Sequence, residues 1–242
     1  MAKFGVVVFP GSNCDHDMIY TLETILKQKV VPLWHKTNDL QGCDCIILPG
    51  GFSFGDYLRS GALSKFSPVM TEVSAFAAKG GLVFGICNGF QILCEAGLLP
   101  GALLANNSRK FSCKNVMLSA QNNDTALTKD VLKNKVLTIP IAHGEGRFYA
   151  DAETLQKMNK NGQVLFKYCN EKGETSAEAN PNGSLENIAG ICNETKNVFG
   201  MMPHPERAAD THLGNVDGNF ILKSLIQSLK AKNPVFHQSV SR

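Results

Sequence analysis

A central, mostly parallel β-sheet flanked by helices, with an additional antiparallel portion, is the α/β fold this sequence predicts. Three observations carry that expectation. Short β-branched runs recur with continuous rather than alternating apolar residues, helical spacings lie between them, and glycine or Asn-Gly turns punctuate their ends. Phe4 to Phe9, Val30 to Trp34, Cys45 to Leu48 and Leu82 to Ile86 each read as a strand buried on both faces. Between the first two, Asp15 to Gln28 places Met18, Leu22, Ile25 and Leu26 at helical spacing, with Asp15 as the expected N-cap. Pro68 to Lys79 is a second helix, closed by Gly80-Gly81. Phe90 to Ala96 is compatible with a third that follows the Leu82 to Ile86 strand at once. Such alternation implies parallel strands joined by right-handed crossovers.

The middle of the chain reads differently. Val116 to Ser119, Val136 to Ile141 and Val164 to Tyr168 look like strands of the antiparallel portion. Asn182-Gly183-Ser184 supplies a turn before two more, Asn187 to Cys192 and Val198 to Met201. A last helix spans Asn219 to Leu229, with Ile221, Leu225 and Leu229 on one stripe. No repeat, low-complexity tract or linker interrupts the chain, so a single domain is expected over 4–231, with 232–242 as a C-terminal tail. Ligands of such sheets bind beyond the carboxyl ends of the strands.

Composition excludes several classes. With 43% apolar and 19% charged residues the 242-residue chain is ordinary globular material. A net charge of +3 argues for neither a nucleic acid nor a membrane partner. The N-terminal apolar stretch, Val6 to Phe9, is too short for a signal-peptide core, and no run approaches the ~18 residues of a membrane span. The expectation is a cytoplasmic protein with reduced thiols. Its eight cysteines are scattered; Cys43-Asp44-Cys45 is the one close pair, without a second pair or nearby histidines to complete a metal site, so no metal is expected.

One cysteine stands apart. Cys87 ends the Leu82 to Ile86 strand, and Gly85 and Gly89 flank it in the G-x-C-x-G pattern of a nucleophile elbow. A thiol nucleophile needs a proton shuttle. Two of the six histidines have a glutamate two residues on: His143-Gly144-Glu145 and His204-Pro205-Glu206. Only a bend lets such a glutamate orient its histidine; Pro205 restricts the local backbone where Gly144 leaves it loose, which favours His204 with Glu206. His16, His35, His212 and His237 read as surface or helix-end residues. Pro49-Gly50-Gly51 follows the Cys45 to Leu48 strand, where a glycine lets the backbone approach a ligand. The N–H groups of Gly51 and Asn88 are then positioned to form an oxyanion hole.

These three pieces together resemble the class I (triad) glutamine amidotransferases. Further segments, FPGSNCD at 9–15, PGGFSFGDYLRSGA at 49–62, PIAHGEGR at 140–147 and GMMPHPER at 200–207, resemble the purine-pathway branch of that family, the glutaminase subunits of phosphoribosylformylglycinamidine synthases. The resemblance runs from about Phe4 to Arg207. It implies a flavodoxin-like fold and glutamine hydrolysis with Cys87 as nucleophile, His204 as base and then acid, and Glu206 as the group that holds the imidazole. It maps the oxyanion donors to Gly51 and Asn88 and places Gln91 and Gly50 against bound glutamine. His143, Glu145 and Arg147 belong to a motif particular to this branch and are expected near the pocket rim or a subunit interface.

The resemblance also implies partners. Ammonia would pass to a purine-pathway synthetase subunit, with a small bridging subunit possible, and ATP and Mg2+ would be used by that partner rather than here. The aromatic-rich Phe52 to Ala62 segment and the loop around Arg109-Lys110-Phe111 are the expected docking surface. Two other readings share part of the pattern: an amidotransferase subunit serving another pathway, which would keep the triad, and a cysteine peptidase-like relative of the elbow fold. A catalytically dead interaction subunit would lack part of the triad, and none is missing.

Overall fold

The computed structural model describes residues 1–131 and 135–232; most of the expected tail, 233–242, and with it His237, lies outside the described residues. In chain order the elements are β1 Lys3–Val8, α1 Asp15–Tyr20, β2 Lys29–Trp34, β3 Cys45–Leu48, α2 Pro68–Ala78, β4 Leu82–Ile86, α3 Asn88–Glu95, β5 Ala102–Leu104, β6 Ser112–Ala120, β7 Val136–His143, β8 Arg147–Tyr149, α4 Ala152–Lys160, β9 Val164–Cys169, β10 Ile188–Cys192, β11 Val198–Met201 and α5 Gly218–Lys232. One nine-stranded sheet runs in the order β2-β1-β3-β4-β11-β10-β9-β6-β7, and β5 pairs with β8 in a small antiparallel sheet.

The sheet changes character at β11. From β2 through β1, β3 and β4 to β11 every pairing is parallel. From β11 onward through β10, β9, β6 and β7 every pairing is antiparallel. Burial follows position in the sheet rather than strand direction, since β10, antiparallel to both neighbours, is buried throughout. β3, β4 and β11 are buried at every position, as strands covered on both faces must be. β7 alternates between partly and fully buried residues along its whole length.

β2 departs from expectation. It is an edge strand with one buried residue, Leu33, and Trp34 half exposed. Pro32 explains the placement, because a residue without an N–H suits a margin with no further strand to bond. The first helix also differs. Asp15 is its first residue rather than its cap, since Cys14 occupies the cap position without a side-chain bond, and after Tyr20 the helix widens into a π turn over Thr21–Ile25. α4 and the short strands β5 and β8 lie outside the expected elements; α4 opens on Asp151, whose carboxylate accepts the Thr154 N–H at 2.8 Å. The C-terminal helix buries its expected stripe, Ile221, Leu225 and Leu229.

Among the described residues no helix is long and apolar enough to cross a membrane. What matters for the site is that β3, β4 and β11 lie side by side and in parallel, so their carboxyl ends open on one edge. The far margin of the sheet curls back to the same edge. Met201, at the end of β11, is followed closely by His204, whose N–H donates to the carbonyl of Pro140 in β7 at 2.8 Å.

Candidate active site

Cys87 sits where β4 turns into α3, at φ +51 and ψ −105, a backbone conformation that non-glycine residues avoid. The flanking glycines make this turn possible by their size. A Cβ on Gly89 would lie 1.9 Å from the Leu48 carbonyl oxygen, and one on Gly85 would lie 2.5 Å from the Gly89 oxygen. The thiol is 5% exposed and lies 3.7 Å from the Ala142 carbonyl in β7.

His204 and Glu206 reach the same point from β11. The bend that a histidine–glutamate pair two residues apart requires is a 3-10 turn, Pro205–Ala208, entered through Pro205. His204 Nδ1 and Glu206 Oε1 are 2.6 Å apart, and both side chains are 1% exposed. Burial opposes a charge on this imidazole, yet the Glu206 carboxylate, the Cys87 group and hydrogen bonding to the Cys14 and Cys87 thiols outweigh it. The His204 pKa is held well above its ordinary value.

Gly50 is packed beneath this pair. A Cβ there would lie 2.7 Å from His204 Cε1, 3.1 Å from Cys14 Sγ and 3.4 Å from Cys87 Cβ. The space a side chain would take is thus filled by the imidazole, and Gly50 is not among the residues lining the cavity. Gly51 does line the pocket, with φ +139, a conformation open to glycine. The cavity in front of Cys87 has a volume of about 240 Å³ and is walled by Gly51, Gln91, His143 and Glu145, with Phe52 and Phe111 among its other lining residues. The two phenylalanine rings stack 6.4 Å apart and are each about half exposed.

Gln91 and Asn88 form an inner strut. Asn88 Nδ2 donates to Gln91 Oε1 at 2.9 Å, and Gln91 Nε2 donates to the Glu145 carbonyl at 2.7 Å. Asn88 Oδ1 also accepts the Ser53 N–H at 3.2 Å. The Asn88 side chain thus fixes the Phe52-containing loop, a role beyond the backbone N–H expected of it.

Other expectations are corrected. His143 is not at a rim: it is 3% exposed in the pocket wall, and burial first, then the charge of His204, lowers its pKa to about 4. Arg147 is not among the residues lining the cavity, and its Nε donates to the Ala105 carbonyl at 3.1 Å. His35 is buried rather than at the surface, with Nδ1 3.1 Å from Ser67 Oγ and its ring between Trp34 and Phe54; His16 and His212 are exposed.

Cys14, counted in the sequence among scattered thiols, is part of the site. It caps α1, is 3% exposed, and accepts from Arg207 Nη2 at 3.1 Å, while Asp17 holds Arg207 Nε at 3.0 Å. Donor atoms of Cys14, His204 and Glu206 all lie within 4.8 Å of one another. The signal available for Cys14 was its place in FPGSNCD, a segment quoted for resemblance without a role for its thiol. Asn106 is the other residue without a sequence signal: fully buried, it contacts both the ring and the backbone carbonyl of His143.

Comparison with known proteins agrees with this geometry. Residues 1–229 match the family model of the CobB/CobQ-like glutamine amidotransferase domain. The phosphoribosylformylglycinamidine synthase subunit PurQ of Koribacter versatilis is 54% identical over 227 residues, covering 94% of this chain and 98% of that protein. The corresponding subunit of Chlorobium chlorochromatii is 56% identical over 225 residues, covering 93% and 96%. Among solved structures, PurLQS from Thermotoga maritima matches with a TM-score of 0.81 and 44% identity over 95% of this chain and all of that one. A glutamine amidotransferase from Thermotoga maritima, 13% identical over 97% of this chain and 94% of that one with a TM-score of 0.53, shares the fold. The chain belongs to the CobB/CobQ-like glutamine amidotransferase family and, within it, to the phosphoribosylformylglycinamidine synthase subunit PurQ group.

Proposed function

We propose that this chain is the glutaminase subunit of a cytoplasmic phosphoribosylformylglycinamidine synthase, with Cys87, His204 and Glu206 as its catalytic triad. The observation that carries the assignment of residues is the strained elbow that sets Cys87 in the wall of a small cavity, with the buried 2.6 Å His204–Glu206 pair beside its sulfur.

The reaction is acyl transfer in two halves. Cys87 sulfur attacks the side-chain amide carbon of glutamine, and the N–H groups of Gly51 and Asn88 receive the oxyanion. His204, held protonated by Glu206, gives its proton to the departing ammonia. Water, deprotonated by His204, then cleaves the thioester to release glutamate. These residues supply the whole sequence of proton transfers, so the chain requires no cofactor of its own.

Ammonia passes to the synthetase subunit, which uses ATP and Mg2+ to convert formylglycinamide ribonucleotide to formylglycinamidine ribonucleotide; a small bridging subunit completes the complex. The docking surface covers the pocket mouth. Phe52, Tyr57, Leu58 and Phe111 are 46%, 74%, 83% and 54% exposed there, an apolar group that association would remove from water.

Glutamate release is measured for wild type and Cys87→Ala, with and without the synthetase partner. The expected result is release by wild type, stimulated by that partner, and none above background by the variant. Equal release by both proteins would refute the nucleophile assignment. Stimulation only by the synthase of another pathway would refute the pathway, and hydrolysis of peptides in place of glutamine would favour the peptidase reading.

A further inference from the structure

The cavity that Cys87 lines also holds a group of acceptors, with no lysine or arginine among its lining residues. Asp56 and Glu145 both line the cavity, and Ser60 joins them: its N–H donates to Glu145 Oε2 at 3.4 Å and its hydroxyl bonds the Asp56 carboxylate. The pairing has a cost that the protein alone does not relieve. Burial first, and then the charge of Glu145, raise the Asp56 pKa, with the Ser60 bond acting in the opposite direction.

The backbone reinforces the placement. Phe54, Asp56 and Leu58 all take positive φ, at 52°, 55° and 70°, so the segment is held in an unfavourable conformation that aims Asp56 inward. Asn88 Nδ2, 3.5 Å from Asp56 Oδ1, ties that carboxylate to the residue beside Cys87.

A third acceptor lines the same cavity two residues before Glu145. Asn106 spends both Nδ2 hydrogens on the carbonyls of Lys110 and His143, each at 2.9 Å, so its Oδ1 is the atom facing the His143 ring at 3.1 Å. His143 Nδ1 therefore carries the proton, and Nε2 presents a lone pair. That nitrogen belongs to a residue 3% exposed, lines the cavity, and has no partner. A buried acceptor left unsatisfied beside two carboxylates calls for a ligand that brings several N–H donors and a positive charge.

We infer that Asp56 and Glu145, bridged by Ser60, bind the α-ammonium group of the amino-acid substrate and thereby select a zwitterionic amide over one that lacks the amino group. The inference rests on the glutaminase reading of the site and adds to it the residues that set specificity.

Glutaminase activity of the complete synthetase complex is measured with glutamine and with glutaramate, which is glutamine without its α-amino group, for wild type, Asp56→Asn and Glu145→Gln. Wild type is expected to favour glutamine by about a hundredfold or more in kcat/KM. Each variant is expected to lose about ten- to a hundredfold on glutamine, mainly through KM, while glutaramate turnover stays within about twofold. Retained glutaramate turnover, with an unchanged rate of Cys87 alkylation by iodoacetamide, shows that the variant pocket is folded. Equal losses on both substrates, or an undiminished preference for glutamine, would overturn this assignment alone. Failure of the wild-type complex to hydrolyse glutamine would overturn the glutaminase reading itself, and this assignment with it.

Discussion

Lowering the pH tests the burial of His143 in a way that can be measured. Burial, followed by the charge of His204, brings its pKa from 6.5 to about 4. In the unfolded chain the imidazole takes up a proton near its ordinary pKa, whereas the folded protein resists until about 4. The unfolded state binds more protons throughout that interval, so stability rises with pH across it. The His143 contribution is fully present above about pH 6.5 and is lost as pH falls through about 4. At ~1.36 kcal/mol per pH unit the interval corresponds to about 3 kcal/mol. Urea unfolding followed by far-UV circular dichroism at pH 7.5 and at pH 4 measures it, with His143→Gln as the reference. The variant carries a pH-independent offset from lost packing and shares the remaining titrating groups. Wild type should therefore lose about 3 kcal/mol more than the variant between the two pH values, or a midpoint difference of about 1–2 M urea at a slope of ~2 kcal/mol per M. Parallel pH dependences for the two proteins would refute the reasoning, because they would mean that His143 takes its proton as readily in the folded state as in the unfolded one.

Three more outcomes follow from the same geometry. Gly89→Ala drives a Cβ into the Leu48 carbonyl, a contact with backbone that cannot rotate away, and should destabilise the protein by about 3 kcal/mol or more in urea unfolding; an unchanged midpoint would contradict the reading of the elbow. Glu206→Gln keeps the side-chain shape but removes the charge that holds His204 protonated, so kcat for glutamine should fall by ~10²–10⁴ with KM little changed. Arg59→Ala removes a pair with Glu95 (Nη2 to Oε2, 2.6 Å) whose arginine side chain is 60% exposed, so unfolding should shift by less than ~1 kcal/mol. Its synthetase-dependent turnover should nevertheless drop, and turnover equal to wild type would move the docking surface elsewhere.

The parts of the site that were legible in the sequence are those whose chemistry is local. Cys87 between two glycines, a diglycine after a strand, and a histidine followed by Pro-Glu each express a geometric demand within a few residues. The parallel strands were legible for a similar reason, since burial on both faces removes polar alternation from the run itself. β2 reads as an interior strand because Val30, Val31 and Leu33 suit an edge as well as an interior, and Pro32 is the residue that decides between them. β5 and β8, of three residues each, are too short for any period to register. Burial of His143 and His35 was not legible, because it is imposed by residues distant in sequence: Asn106 for the former, Ser67 and Phe54 for the latter.

The antiparallel half supplies what the parallel half lacks. β3, β4 and β11 deliver Gly51, Cys87 and His204, the proposed oxyanion donor, nucleophile and base, to one edge. The parallel half forms only part of the cavity wall, through Gly51, Phe52, Asp56, Ser60 and Gln91. Enclosure comes from β7, at the opposite margin of the hydrogen-bonded order, whose last residues and following turn contribute Ala142, His143 and Glu145. Two contacts close the circuit: the His204 N–H to the Pro140 carbonyl at 2.8 Å, and the Cys87 thiol to the Ala142 carbonyl at 3.7 Å. Asn182 Nδ2 and Ser184 Oγ then hold the Gly146 carbonyl from behind, at 2.8 and 3.3 Å, so the Asn-Gly-Ser turn braces the pocket wall as well as joining strands. The proposed triad is thus carried by the parallel half of the sheet, while the cavity wall is shared between the two halves. A change that loosens β7 should therefore raise KM before it lowers kcat, whereas one at the elbow should act on kcat first.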